Sequence, residues 1–188
     1  MELNSLWPYL IEEFQKWVYE QRSFHLASAR PLLNEERSRL FGYFEKGILD
    51  LVRVASVERI LNPDFYDDLA RSGVPIPLDF SKAIGLTLVD CILIRRELWS
   101  HPSSVIPTLF HEMVHVVQID ILGLRKHIEL YADNLIQNGY QYHSVLFERQ
   151  AYSLASRFAG GEPSFSVSEI VKQELERAEY HVTSDGES

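Results

Sequence analysis

The sequence predicts an α+β fold: a small sheet, mostly before residue 96, with helices before and after it. Three observations carry this. Apolar residues open the chain at helical spacing, strand-like runs are confined to residues 48–57 and 83–94, and after Trp99 the pattern is helical throughout. The 188 residues, 46% hydrophobic and 24% charged, fit one domain spanning 1–188 with its own core. No internal repeat or low-complexity linker divides it.

Over residues 4–22, Leu6, Leu10, Phe14, Trp17 and Val18 fall on one helical face, with Glu12, Glu13, Gln15 and Lys16 on the other. Asn34 is the expected cap of a second helix through Phe44, ended near Gly47. ILDLVRVASV (48–57) has the β-branched content of a strand. NPDFYDDLARSG predicts a short helix opened by Asn62-Pro63 and closed by Gly73, and the prolines of VPIPLD extend the chain after it. AIGLTLVDCILI (83–94) is the most strand-like run, with a bulge or tight turn around Val89-Asp90. HPSS then caps a helix in which Pro107 belongs to the first turn, running to about Leu122 with Gly123 as its stop. Further helices are expected over 124–137, ended by Asn138-Gly139, and 144–159, ended by Gly160-Gly161. A capping box of Ser166 and Glu169 opens the last, charged helix over about 166–181.

A net charge of −9 disfavours nucleic acid or an anionic membrane as partner. The single cysteine, Cys91, excludes an internal disulfide and a cysteine-based zinc site, and its apolar neighbours mark it as buried. The N-terminus lacks a signal-peptide pattern, and no run reaches the roughly 18 apolar residues of a membrane span. A cytoplasmic location is the resulting expectation.

HEMVHVVQ, His111 to Gln118, places two histidines four apart with Glu112 directly after the first. On a helix, such histidines differ by about 40° around the axis and point the same way one turn apart. Two imidazoles so placed can take two corners of a zinc tetrahedron, and Glu112, about 100° further round, lies beside the metal, where it can accept a proton from an attacking water. Leu109, Phe110, Met113, Val114, Val116 and Val117 make the helix apolar nearly all round, so its polar residues need something to satisfy them. Zn2+ would do so.

Zinc needs a third protein ligand. Gln118 and Ile121 stand where the glycine and third histidine of a longer pattern, HExxHxxGxxH, would be, which leaves a carboxylate or a more distant histidine. Asp120 is about 140° round the helix from His115 and turns away. His127, Glu129, Asp133, His143 and Glu148 remain, and Glu148 stands out in the apolar helical context VLFERQAYSLA, where pairing with Arg149 is the alternative.

Taken together, GLTLVDCILIRRELW, HEMVHVVQIDILGL and FERQAY resemble the gluzincin-like zinc metallopeptidases, and in particular small bacterial domains that pair an HExxHxxQ helix with a later ExxA-aromatic helix. The resemblance covers about 83–157 and implies a zincin-like core, flanked by an unexplained N-terminal region (1–82) and C-terminal helix. It implies His111, His115 and Glu148 as metal ligands, with Ala151 and Tyr152 completing the match. It also implies an edge strand beside the active-site helix, matched by 85–94, that binds an extended peptide or protein substrate by strand addition. Tyr152 departs from the larger gluzincins, which carry an aspartate there to orient the first histidine, so the partner of His111 is open. Tyrosines recur in the intervening loop of the resembling proteins, which favours Tyr140 as oxyanion donor over Tyr131, Tyr142, His127 and His143.

The expected function is zinc-dependent hydrolysis of a peptide or other amide, with Glu112 as general base. The rival is a non-catalytic peptide-binding or regulatory module that zinc stabilises, its fourth position closed by His143 or Asp133. The retained Glu112 favours catalysis, because a structural clamp does not need it.

Overall fold

The sheet has four strands in the order β1-β2-β4-β3: β1 (Arg30–Pro31), β2 (Arg53–Val57), β3 (Gly85–Leu88) and β4 (Cys91–Arg95). In this computed structural model the described residues are 3–73 and 78–184, with side chains described over 7–73 and 78–177. The first four residues of the expected VPIPLD extension lie outside them. The architecture is α+β.

The β2–β4 pair is parallel, and both flanking pairs are antiparallel. Pro31 sits on an edge strand, where its missing N–H breaks no ladder. The run 83–94 is a hairpin, with its turn at the expected Val89-Asp90. Val89 adopts φ 65°, an uncommon conformation for a β-branched residue. Arg22 grips the Asp90 carboxylate through both of its oxygens and so fixes this turn against helix α1 (Leu3–Leu26).

Two expectations in the first half need correction. Residues 48–57 are not one strand: α3 (Lys46–Leu51) precedes β2. Ile48, Leu49 and Val52 are buried at helical spacing while Asp50 and Leu51 face out, and Lys46 and Arg37 both bind the Asp50 carboxylate. Helix α2 (Asn34–Leu40) ends before Gly42 (φ 88°) and not at Gly47, which lies inside α3. The residue ahead of α2 is Leu33, whose N–H is accepted by Glu36 at 2.7 Å, so Asn34 is the first helical residue and not the cap. Helix α4 (Phe65–Arg71) follows β2.

After the sheet come α5 (Pro102–Leu122), α6 (Leu124–Gln137), α7 (Leu146–Ala159) and α8 (Val167–Ser184). Pro102 occupies the first position of α5. Pro107 therefore falls in the second turn, one turn deeper than expected, and leaves the Ser103 carbonyl without its helical donor. The Ser166 hydroxyl accepts the Glu169 N–H at 3.3 Å ahead of α8, as the capping box predicts.

By length and composition α5 could cross a bilayer, but 72% of its apolar stretch is buried inside the fold. It packs between the sheet and α7. Val54, Ile92 and Ile94 of the sheet meet Leu109, Phe110, Met113 and Val117 on that side. The opposite sheet face, with Ala55, Leu88, Cys91 and Leu93, packs on Ile11, Trp17 and Val18 of α1.

Candidate metal centre

Helix α5 is buried continuously from Leu109 to Ile119, polar residues included. Its histidine pair opens onto α7, whose Phe147, Ala151, Leu154 and Ala155 are drawn into the core and turn Glu148 toward α5. Gln118 ties the two helices. Its amide nitrogen donates to the Phe147 carbonyl at 3.0 Å and to Gln150 Oε1 at 2.9 Å. That fixes which end of the amide is oxygen, so Gln118 Oε1 accepts from His115 Nδ1–H at 2.8 Å. The Nε2 of His115 is thereby left with its lone pair.

That lone pair faces others. His115 Nε2 lies 3.2 Å from His111 Nε2, and the Glu148 oxygens stand 3.4 Å from His111 Nε2 and 3.5 Å from His115 Nε2. All three residues are buried, and among the described residues none donates a hydrogen bond to Glu148 Oε2. With the His111 proton on Nε2, that ring donates to His115 Nε2; with it on Nδ1, two imidazole nitrogens and a carboxylate converge as acceptors in a buried site, an arrangement that a cation among them satisfies. Ligand atoms about 2.0–2.1 Å from a tetrahedral zinc are about 3.3 Å apart, close to the 3.2 Å between the two imidazole nitrogens, and each nitrogen has one Glu148 oxygen within 3.5 Å. The donor set therefore fits zinc, with two imidazoles and one carboxylate.

A proton is the other cation the group can hold. Burial alone would lower the His115 imidazolium pKa, but the Glu148 charge and then the Glu112 charge outweigh this and raise it to about 9. Burial likewise works to raise Glu148, yet in that protonated state the charge of His115 holds it well below the usual carboxylate range.

Glu112 lies on the sheet side of this group. The Thr87 hydroxyl is 2.8 Å from Glu112 Oε2 and 2.9 Å from the Glu112 carbonyl oxygen, and its one proton favours the charged carboxylate. Gly85 makes the room: a Cβ there would meet Glu112 Oε1 at 2.5 Å. Neither Gly85 nor Thr87 is marked out by the metal pattern. A glycine and a threonine alternating in an otherwise apolar strand were the signal available.

Only part of the 85–94 run is an edge. Residues 91–95 lie inside the sheet between β2 and β3, because the chain turns back at Val89-Asp90. The register directs the backbone groups of Ile84, Leu86 and Leu88 to β4, with Arg95 N–H donating to Ile84 at 2.9 Å. Those of Gly85 and Thr87 point to the open edge.

The remaining ligand candidates separate cleanly. Asp120 and Asp133 are exposed, and Glu129 pairs with Arg125 at 2.9 Å. His143 is exposed at the cleft, its ring 5.5 Å from that of Tyr152. His127 is buried with its Nε2 unpartnered, its ring 4.5 Å from Phe147 and 6.4 Å from His115. Burial, then the positive charge of His115, push its pKa down to about 3, so its ring is neutral. The Tyr152 ring lies 4.4 Å from that of His111, tilted by 56°, and so occupies the place next to that histidine.

Among the tyrosines, Tyr131 donates to Glu148 Oε1 at 3.0 Å. Tyr142 lines the same cleft, and the pKa of both phenols is pushed up by burial and then by the Glu148 charge, so they stay protonated. Tyr140 is 43% exposed in the turn after α6, with φ 63°, and lines the same cleft without joining the group.

Compared with protein-family models, with curated proteins and with solved structures, the chain gives no match.

Proposed function

We propose that the chain is a zinc-dependent hydrolase of peptide or other amide bonds, with a zincin-like core. The observation that carries this is the buried convergence of His111, His115 and Glu148 with Glu112 held beside them by Thr87. His111 Nε2, His115 Nε2 and the Glu148 carboxylate would hold the metal. Bound zinc supplies Lewis acidity, which polarises a carbonyl and makes water a nucleophile near neutral pH.

The chain's own groups supply the rest. Glu112 takes a proton from the attacking water and returns it to the leaving amine. Thr87 and the space over Gly85 keep that carboxylate on the sheet side of the site. The Tyr131 proton is given to Glu148, and the protonated phenol of Tyr142, which lines the same cleft, can steady negative charge developing on the carbonyl oxygen. An extended substrate would pair with the outward backbone groups of Gly85 and Thr87.

The test measures zinc content and hydrolysis of a broad peptide library for the unaltered chain and for Glu112→Gln. Zinc in both, with turnover lost only in Glu112→Gln, supports the proposal. Zinc in both and turnover in neither favours a zinc-stabilised binding module. Absence of zinc from the unaltered chain after exposure to the metal overturns the metal centre.

A further inference from the structure

The cleft at the metal centre does not end at the triad. It encloses about 1020 Å³ and runs along β3 to α1 and Phe80. Trp7, Leu10, Phe14 and Phe80 line that far end and are half-buried, so each keeps apolar surface turned to the space. The wall is braced from behind. Phe14 packs on Trp17 at 5.3 Å and stacks on Phe80 at 5.6 Å, while Trp17 and Val18 are buried against the sheet. The charges at this end are at the rim, where Asp79 and Lys82 pair at 3.2 Å. Helix α1 lies outside residues 83–157, which carry the whole of the sequence resemblance, so this wall belongs to the chain's own N-terminal region.

Strand alternation connects the wall to the chemistry. On β3, the Gly85 and Thr87 positions face Glu112 and α5, whereas Leu86 and Leu88 face α1. A peptide added at the free edge continues the same pleat, so its successive side chains alternate between the α5 face and the α1 face. When one residue presents its carbonyl to the triad, its neighbour's side chain falls on the side of Trp7, Leu10, Phe14 and Phe80. A charged or amide side chain there would lose its hydration without a partner.

We infer that α1 and Phe80 form a specificity pocket that receives a bulky apolar side chain, next to the scissile bond, of an extended peptide paired with β3. The inference rests on the hydrolase proposal for the substrate's position, and the test separates the two. For the zinc-loaded full chain, kcat/KM is measured on peptides differing at one residue flanking the cleaved bond. Phenylalanine or leucine at one such position is expected to exceed alanine by about tenfold to a hundredfold. Leu10→Glu, at a half-buried position, is expected to reduce that phenylalanine-to-alanine ratio by about tenfold, with zinc content reporting an intact fold. Independently, zinc-loaded Glu112→Gln is titrated with a phenylalanine-containing peptide while tryptophan emission is followed; the response is expected to fade in the Leu10→Glu, Glu112→Gln double variant. Hydrolysis without apolar preference, or a ratio unchanged by Leu10→Glu, overturns the pocket and leaves the hydrolase. Peptide binding that depends on Leu10, with no hydrolysis by the unaltered chain, keeps the pocket and overturns the hydrolase. Absence of both binding and hydrolysis overturns both.

Discussion

Replacing Gly85 by alanine puts one methyl group where the Glu112 carboxylate now lies. The added carbon would stand 2.5 Å from Oε1 and 2.9 Å from both Cδ and Cγ of Glu112. An unstrained contact needs about 3.5 Å, so the carboxylate must move by about 1 Å. Thr87 holds its other oxygen at 2.8 Å, so a shift of that size also stretches or breaks this bond. A misplacement of about 1 Å in a reacting group costs roughly a hundredfold in rate. The backbone at Gly85 is ordinary strand paired with Ile94, so alanine adds crowding without a forbidden conformation, at a stability cost of about 1–3 kcal/mol. The three proposed metal ligands make no contact with the Gly85 position, so zinc binding should be kept. Gly85→Ala is therefore expected to retain zinc and a cooperative unfolding transition while kcat falls about a hundredfold. Peptide hydrolysis, metal analysis and thermal unfolding read the three quantities. A Gly85→Ala chain as active as the unaltered one would refute the reasoning, because Glu112 would then not act from its position against β3.

Three further outcomes follow from the same contacts. Gln118→Leu frees His115 Nδ1 and leaves the Phe147 carbonyl and Gln150 unpaired; zinc affinity is expected to drop about 10–100-fold. Competition against a chelator measures this, and an unchanged affinity would show that Gln118 does not set the His115 tautomer. Burial, then the neighbouring Asp90 charge, push the Cys91 thiol up to about 11, so at pH 8 it should react with a disulfide reagent only after denaturation. The sign of its linkage follows: the unfolded thiol ionises near 9.0, so this group's contribution to stability is complete below that pH and is lost as pH rises through 11. Denaturant titrations at successive pH values check it, and rapid labelling of the native chain would contradict it. Arg22→Ala leaves the largely buried Asp90 carboxylate without its bidentate partner and should cost about 1–3 kcal/mol, read by denaturant unfolding. A midpoint within error of the unaltered chain would mean that α1 does not anchor the hairpin turn.

The features legible before folding share a short range. HEMVH is readable because helical periodicity alone sets two residues four apart on one face. The same logic placed the stop at Gly123, the turn at Val89-Asp90 and the cap at Ser166. Local logic misjudged 48–57, where Leu49, Asp50 and Leu51 separate Ile48 from the β-branched residues that begin at Val52, and the tertiary burial of Ile48 and Leu49 favours a helix turn first. It also merged an edge strand with an interior one, because alternation looks the same in both.

Glu148 could be narrowed to a few residues by pattern, and the resemblance favoured it. Its approach to within 3.4 Å of His111 depends on how α7 packs against α5, through contacts such as Gln118–Gln150 that join residues 32 apart. The grip of Thr87 on Glu112, the room over Gly85, the bond of Tyr131 to Glu148 and the wall built by α1 are of the same kind. Residues within one helical turn are neighbours by the geometry of the backbone alone. Residues on different elements become neighbours only when burial of the shared core selects one packing, and that packing brought Glu148 to the histidine pair, held the Glu112 carboxylate beside them and left a cleft.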